Sequence, residues 1–188
     1  MTQKKYAEAV IQYKNAIGLD QRYGEARLKL AKAAETTGDA ITAFREYVRA
    51  ADLLPEDPDA QLRAGQMLLL AKQYPEARVR ADNVLERDPK NVPALVLLGN
   101  ALAGLKDFDG AITQFEHAID SDPQRTVTYA NLGAIQLVKG DSQAAEGAFK
   151  RAVQLQPMSA SAHLSLANYY WAAGRLPDAE AEFKTAVQ

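Results

Sequence analysis

Small and bulky apolar residues recur along this chain at a fixed step. Ala9, Ala43, Ala77, Ala111, Ala145 and Ala179 lie 34 residues apart with no insertion. Four residues later most copies carry a ring, at Tyr13, Tyr47, Phe115, Phe149 and Phe183. Three further on a small residue returns, at Ala16, Ala50, Ala118, Ala152 and Ala186. Pro55, Pro89, Pro123 and Pro157 keep the step, as do Gly65, Gly99 and Gly133, with Ala31 and Ala167 at the matching places. Such self-similarity marks a repeat architecture, in which each unit is too small to bury its own apolar face and stacks on its neighbours.

Each copy reads as two helices. From Val92 to Arg125, residues Leu95, Leu98, Leu102 and Leu105 recur at steps of three and four, which is one face of a helix. Lys106-Asp107 interrupts the pattern, and Asp107 is suited to cap a second helix whose face is Ala111, Phe115, Ala118 and Ile119. Asp122-Pro123 ends it, because proline disfavours helix at the residue before it. In other copies the inner turn is Gly38-Asp39 or Gly140-Asp141, a glycine past the first helix and an acidic cap for the second. Pro58 and Pro93 fall at first-helix starts, and Pro75 and Pro177 in the first turn of second helices, where a missing N–H does no harm. Small residues let two helices approach closely, and a ring then fills the space beside them. The third copy, with Ala81 at the ring position and Val84 three residues on, shifts volume along the helix.

The copies divide the chain as a single array. Residues 1–23 supply only a second helix; 24–57, 58–91, 92–125 and 126–159 are complete repeats; 160–188 is a last, slightly truncated one. About eleven helices are expected. The last helix presents Ala179, Phe183, Ala186 and Val187 and lacks the polar outer face of a capping helix. On this reading the chain is a segment of a longer array, and its uncapped terminal helices associate end to end.

Composition narrows the chemistry. The formal charge of -2 supplies no field for nucleic acid, and the most apolar stretch, Val92 to Leu105, is short of the roughly 20 residues a membrane helix needs. The polar start, Met1 to Glu8, has no apolar run of the signal-peptide kind. With no cysteine, thiol chemistry and zinc ribbons are excluded, and the compartment stays open, since a cysteine-free chain tolerates cytosol and periplasm alike. No nucleophile elbow, dinucleotide fingerprint or phosphate-binding loop occurs. His117 and His163 fall in different repeats and different helix classes, and His163 reads as a packing residue. Neither an enzyme nor a metal or cofactor site is expected.

A 34-residue helix–turn–helix unit with Leu-Gly in the first helix, Ala and Phe/Tyr in the second and Asp-Pro at the end resembles the tetratricopeptide repeat. The resemblance covers essentially the whole chain. The large aromatic usual near the start of the first helix is replaced by Arg27, Gln61, Leu95 and His163, with Tyr129 close to it, which weakens individual repeats. The repeats at Arg49–Pro55 and Leu97–Leu105 are also similar to bacterial envelope proteins of this family linked to exopolysaccharide and protein-sorting systems.

The resemblance implies an all-α right-handed superhelical solenoid of antiparallel helix pairs, with first helices lining a concave groove that binds an extended peptide. Carried over position by position, the groove presents Lys32, Arg63, Gln66, Leu69, Val96, Asn100, Val127, Asn131, Leu164, Asn168 and Trp171. Asparagine amides offer a donor and an acceptor to a peptide backbone whatever its side chains. Lys32 and Arg63 are suited to a carboxylate, and Trp171 to a ligand or to packing against a further repeat. The two-carboxylate clamp that family members use on chaperone tails is not expected, because its basic places are Val96, Ser161 and Ser165. The expected function is therefore a non-enzymatic scaffold for a protein or peptide partner. The alternatives are a structural spacer in a longer bacterial protein and the recognition arm of a larger enzyme.

Overall fold

The computed structural model describes residues 3–187; the first two residues of the predicted opening helix and Gln188 lie outside them. Among the described residues there are eleven helices and no strands. They are α1 (Gln3–Leu19), α2 (Gly24–Thr37), α3 (Ala40–Leu53), α4 (Pro58–Leu70), α5 (Tyr74–Leu85), α6 (Val92–Gly104), α7 (Phe108–Ser121), α8 (Thr126–Lys139), α9 (Ser142–Leu155), α10 (Ala160–Ala172) and α11 (Leu176–Ala186). They fall into two compact units, one ending at Pro89 and the other beginning at Lys90.

The turns follow from local chemistry repeated at the 34-residue step. Asp39, Asp107 and Asp141 each accept a hydrogen bond from a backbone N–H three residues on and so cap α3, α7 and α9. Asp57, Asn91 and Ser159 do the same for the first helices α4, α6 and α10. Past each first helix the chain enters the left-handed region, at Gly38, Lys72, Lys106, Gly140 and Gly174, with φ of 79, 58, 65, 88 and 74°. The next N–H then closes back on the helix at 2.9 Å, for instance Asp39 N to Ala34 O and Asp107 N to Leu102 O. Two copies make this turn with lysine, which lacks glycine's freedom there.

Helices pack as antiparallel hairpins. In the first unit α2 lies on α3 and α4 on α5, with α1 against α2 and α3 against α4. In the second, α6 pairs with α7, α8 with α9 and α10 with α11; α7 meets α8 and α9 meets α10. There the first helices also touch one another, α6 with α8 and α8 with α10, so they form a common face. Ala43, Ala77, Ala111, Ala145 and Ala179 are all buried, and Tyr47 and Phe115 are fully enclosed. A Cβ on Gly99 would stand 2.6 Å from the Phe115 ring, and one on Gly133 3.0 Å from that of Phe149, which is the close approach the small residues provide. Val84, in the ringless copy, is buried.

The place of the missing aromatic is filled by side chains that reach the preceding linker. Arg27 donates twice to the Gln21 carbonyl (3.1 and 2.7 Å), and Gln61 donates to the carbonyls of Ala51 (2.6 Å) and Leu54 (3.2 Å). The Tyr129 hydroxyl donates to Pro123 O (3.2 Å), and His163 Nε2 meets Pro157 O at 2.8 Å. Arg27 and His163 also each engage a carboxylate of the following helix, Glu46 at 2.6 Å and Glu182 at 2.5 Å. The polar replacements thus fasten linker and hairpin together, and the expected weakening of these repeats is offset by hydrogen bonds. Beside them Thr128 is fully buried with no partner for its hydroxyl, at a place where four other copies carry Ala26, Ala60, Ala94 and Ala162.

Candidate binding surface

In the first unit the expected groove cations do not stand alone. Lys32 Nζ on α2 pairs with Asp59 on α4 at 2.6 Å. Arg63 lies 3.5 Å from Asp59 and 3.6 Å from Glu35, and the buried Tyr47 hydroxyl donates to Glu35 at 2.6 Å. Partial burial pushes the Asp59 carboxyl up, but the hydrogen bond and charge of Lys32, with Arg63, outweigh it and hold its pKa below the ordinary value. Burial, then the bond to Glu35, pushes the Tyr47 phenol above its usual range. The network ties α2 to α4 and neutralises this face. Gln66 is exposed and Leu69 half-buried on α4. Beside Lys32, a cavity of about 270 Å³ between α1 and α2 is lined by Tyr6, Tyr13 and Lys29.

In the second unit the first-helix face carries aliphatic side chains and amides. Val127 is 49% exposed and Leu164 42%, while Val96 is half-buried. Asn131 Nδ2 on α8 donates to Asn100 Oδ1 on α6 at 3.2 Å. That bond uses one acceptor and one donor. It leaves the Asn100 amide N–H groups and the Asn131 carbonyl oxygen to be met from outside. Asn168 is exposed on α10. Trp171 is 64% exposed and, with Leu176, Phe183 and Val187, borders an open apolar hollow of about 490 Å³ beside α11.

Two polar clusters escaped the sequence. The sequence places Asp59 on the same first-helix face as Arg63; what it does not show is that Lys32 meets Asp59, and Arg63 meets Glu35, once α2 and α4 are side by side. The other surrounds Glu146, which accepts from Arg175 (2.9 Å) and Lys150 (2.7 Å) while Arg175 stacks on the Tyr170 ring at 4.3 Å. The bonds from Lys150 and Arg175 hold the Glu146 carboxyl down to about 2. No group of three or more metal-ligating side chains occurs among the described residues, and no described helix is long and apolar enough to cross a membrane.

Capped helix pairs on a 34-residue step, closed by an alanine-and-ring seam, define a tetratricopeptide array. Tetratricopeptide-repeat family models match residues 37–81 and 131–188, and residues 68–135, and the chain belongs to that family. Its members are protein–protein interaction scaffolds, typically non-enzymatic. Among solved structures, the thermophilic tetratricopeptide protein TTC0263 of Thermus thermophilus has 20% identity and a TM-score of 0.78, over 87% of this chain and 90% of that one. MamA of Desulfovibrio magneticus RS-1 has 26% identity and a TM-score of 0.71, over 81% and 86%. YrrB, described as a tetratricopeptide protein with an unusual peptide-binding site, has 18% identity and a TM-score of 0.61, over 93% and 90%. No curated protein matches the sequence at a significant level.

Proposed function

We propose that the chain binds an extended peptide segment of a partner protein on its first-helix faces, with the Asn100–Asn131 pair as the backbone-reading element. The observation that carries this reading is the half-used amide pair: one amide's donors and its neighbour's acceptor stay open, one helical turn along from half-buried Val96 on α6 and exposed Val127 on α8. An extended strand presents N–H and C=O groups in alternation, so the pair engages it irrespective of sequence while the aliphatic side chains take up apolar ones. Each hydrogen bond contributes only about 0.5–1.5 kcal/mol net, which suits exchangeable binding. The peptide-binding site described for YrrB, a protein of the same fold, is consistent with this use.

The test is selection from a displayed random-peptide library, followed by anisotropy measurements with the enriched peptides. Asn100→Ala with Asn131→Ala should weaken binding by about tenfold or more at unchanged helicity, equivalent to the loss of two such bonds. Equal binding by the variant, or no enrichment, overturns the reading. A second reading, a structural element acting through its ends, draws support from the exposed apolar patch of Trp171, Leu176 and Val187. It predicts concentration-dependent association by light scattering that Trp171→Ser with Val187→Ser abolishes; a strictly monomeric wild type overturns it.

A further inference from the structure

The first unit carries a second candidate site, on another side of α2 from Lys32. Between α1, α2 and α3 lies a cavity of about 510 Å³, ringed by Lys14, Arg27, Arg45 and Arg49 around the single carboxylate of Glu46. Glu46 is buried and serves three guanidiniums at once: Arg27 at 2.6 Å, Arg45 at 2.8 Å and Arg49 at 3.5 Å. Arg27 is fully committed, since its other nitrogens bond to the Gln21 carbonyl. Arg45 gives Glu46 only its Nε, and Arg49 stands farther off at 3.5 Å; both side chains are about half exposed. They stand one helical turn apart, so their forks open on the same side of α3. Lys14 on α1 makes no ion pair among the described residues. Asp39, which lies within electrostatic reach of Lys14 and Arg45, is already accepting the α3 cap hydrogen bond. Positive charge is therefore in excess, in a concave place whose remaining wall includes Ile17 and Leu30.

We propose that this cavity binds an acidic peptide segment of a partner protein, an Asp or Glu carboxylate bridging Arg45 and Arg49 while a neighbouring aliphatic side chain lies on Ile17. Guanidinium forks match a carboxylate two bonds at a time. The cavity is much larger than an inorganic anion and partly apolar, which favours a side chain carried on a peptide. The site is separate from the amide pair of the second unit and does not depend on it.

The test uses the whole chain, with side-chain and amide NMR, and an N-acetylated, C-amidated hexapeptide alternating Glu and Leu. At low ionic strength, where screening is weak, the Arg45, Arg49 and Lys14 signals should shift saturably, and the affinity should drop steeply near about 0.15 M salt. Arg45→Gln with Arg49→Gln should weaken binding about tenfold or more. Arg27 still pairs Glu46 in that variant, so the fold is retained, which circular dichroism checks. Inorganic phosphate and the Gln-for-Glu peptide should each bind far more weakly. The proposal is overturned if no saturable shift occurs, or if shifts map to Lys32 and Arg63 instead. Phosphate matching the peptide, or the Gln peptide matching the Glu one, overturns it as well.

Discussion

Adding one methyl group at two glycines of the second unit separates helix propensity from helix packing. Gly99 and Gly147 both lie inside helices, α6 and α9. In an open helix interior, Gly→Ala stabilises by about 0.5–1 kcal/mol. Nothing lies within 4 Å of a Cβ on Gly147, so Gly147→Ala should gain that amount in full. A Cβ on Gly99 meets the Phe115 ring at 2.6, 2.9 and 2.9 Å, and Phe115 is fully enclosed, so ring or helix must move. Overpacking of this kind costs about 1–3 kcal/mol, which leaves Gly99→Ala neutral to about 2 kcal/mol destabilised. The cost stays moderate because another hairpin is assembled with Ala31 at this place and Tyr47 enclosed as its ring. Urea unfolding followed by circular dichroism and by Trp171 fluorescence, within the same unit, measures both variants. The two should differ by about 1–3 kcal/mol, or several degrees in melting temperature for a chain of this size. Placing Gly99→Ala in a Phe115→Leu background should remove most of the penalty. Equal stabilisation by both substitutions would refute the close-approach account.

Further outcomes are expected at a histidine bridge and at the left-handed turns. His163 bridges Glu182 and the Pro157 carbonyl; the bond to Glu182, then that to Pro157, raises its pKa above the ordinary 6.5. A raised folded-state pKa adds stability that is complete below pH 6.5 and is lost as pH rises through the folded value. Hydrogen exchange of α10 and α11 between about pH 5.5 and pH 8.5, corrected for intrinsic rates, should report falling protection that His163→Gln flattens; equal slopes in both proteins would refute the bridge. Lys72 and Lys106 hold the left-handed turn that glycine makes in three other copies. The strain there is about 1–2 kcal/mol, offset by the extra unfolded-state freedom of glycine, so Lys72→Gly and Lys106→Gly should each raise stability by about 0.5–1 kcal/mol. Gly140→Ala, which meets nothing within 4 Å, should lower it through backbone strain alone, and no change in thermal melting on either side would count against the turn.

The period, the hairpins and the caps were legible in the sequence because each depends on residues within a few positions of one another. What was not legible depends on pairs brought together across helices. The loss of the first-helix aromatic looked like a weakness, yet Arg27, Gln61, Tyr129 and His163 bond to carbonyls six to ten residues back, which only a folded linker presents. The lysines at the left-handed turn did carry a signal: Lys72 and Lys106 continue the step set by Gly38 and reached again at Gly140 and Gly174. Trp171 read from its register as a ligand contact or as packing for a further repeat; it borders an open hollow with side chains of α11.

The same limit bears on the groove charges. Lys32 and Arg63 read as suited to a carboxylate because the pairs that cross from α2 to α4, Lys32 with Asp59 and Arg63 with Glu35, join residues 27 and 28 positions apart in the chain. A partner's carboxylate arriving there exchanges one half-exposed ion pair for another, a step worth about 0–1 kcal/mol either way. That face therefore contributes little through charge, whatever its formal appearance. On the proposed reading, affinity comes from groups with unused bonding capacity. Among the described residues these include the Asn100–Asn131 amides and the guanidiniums around Glu46, where one carboxylate serves three cations, and the exposed aliphatic side chains of the second unit add apolar surface.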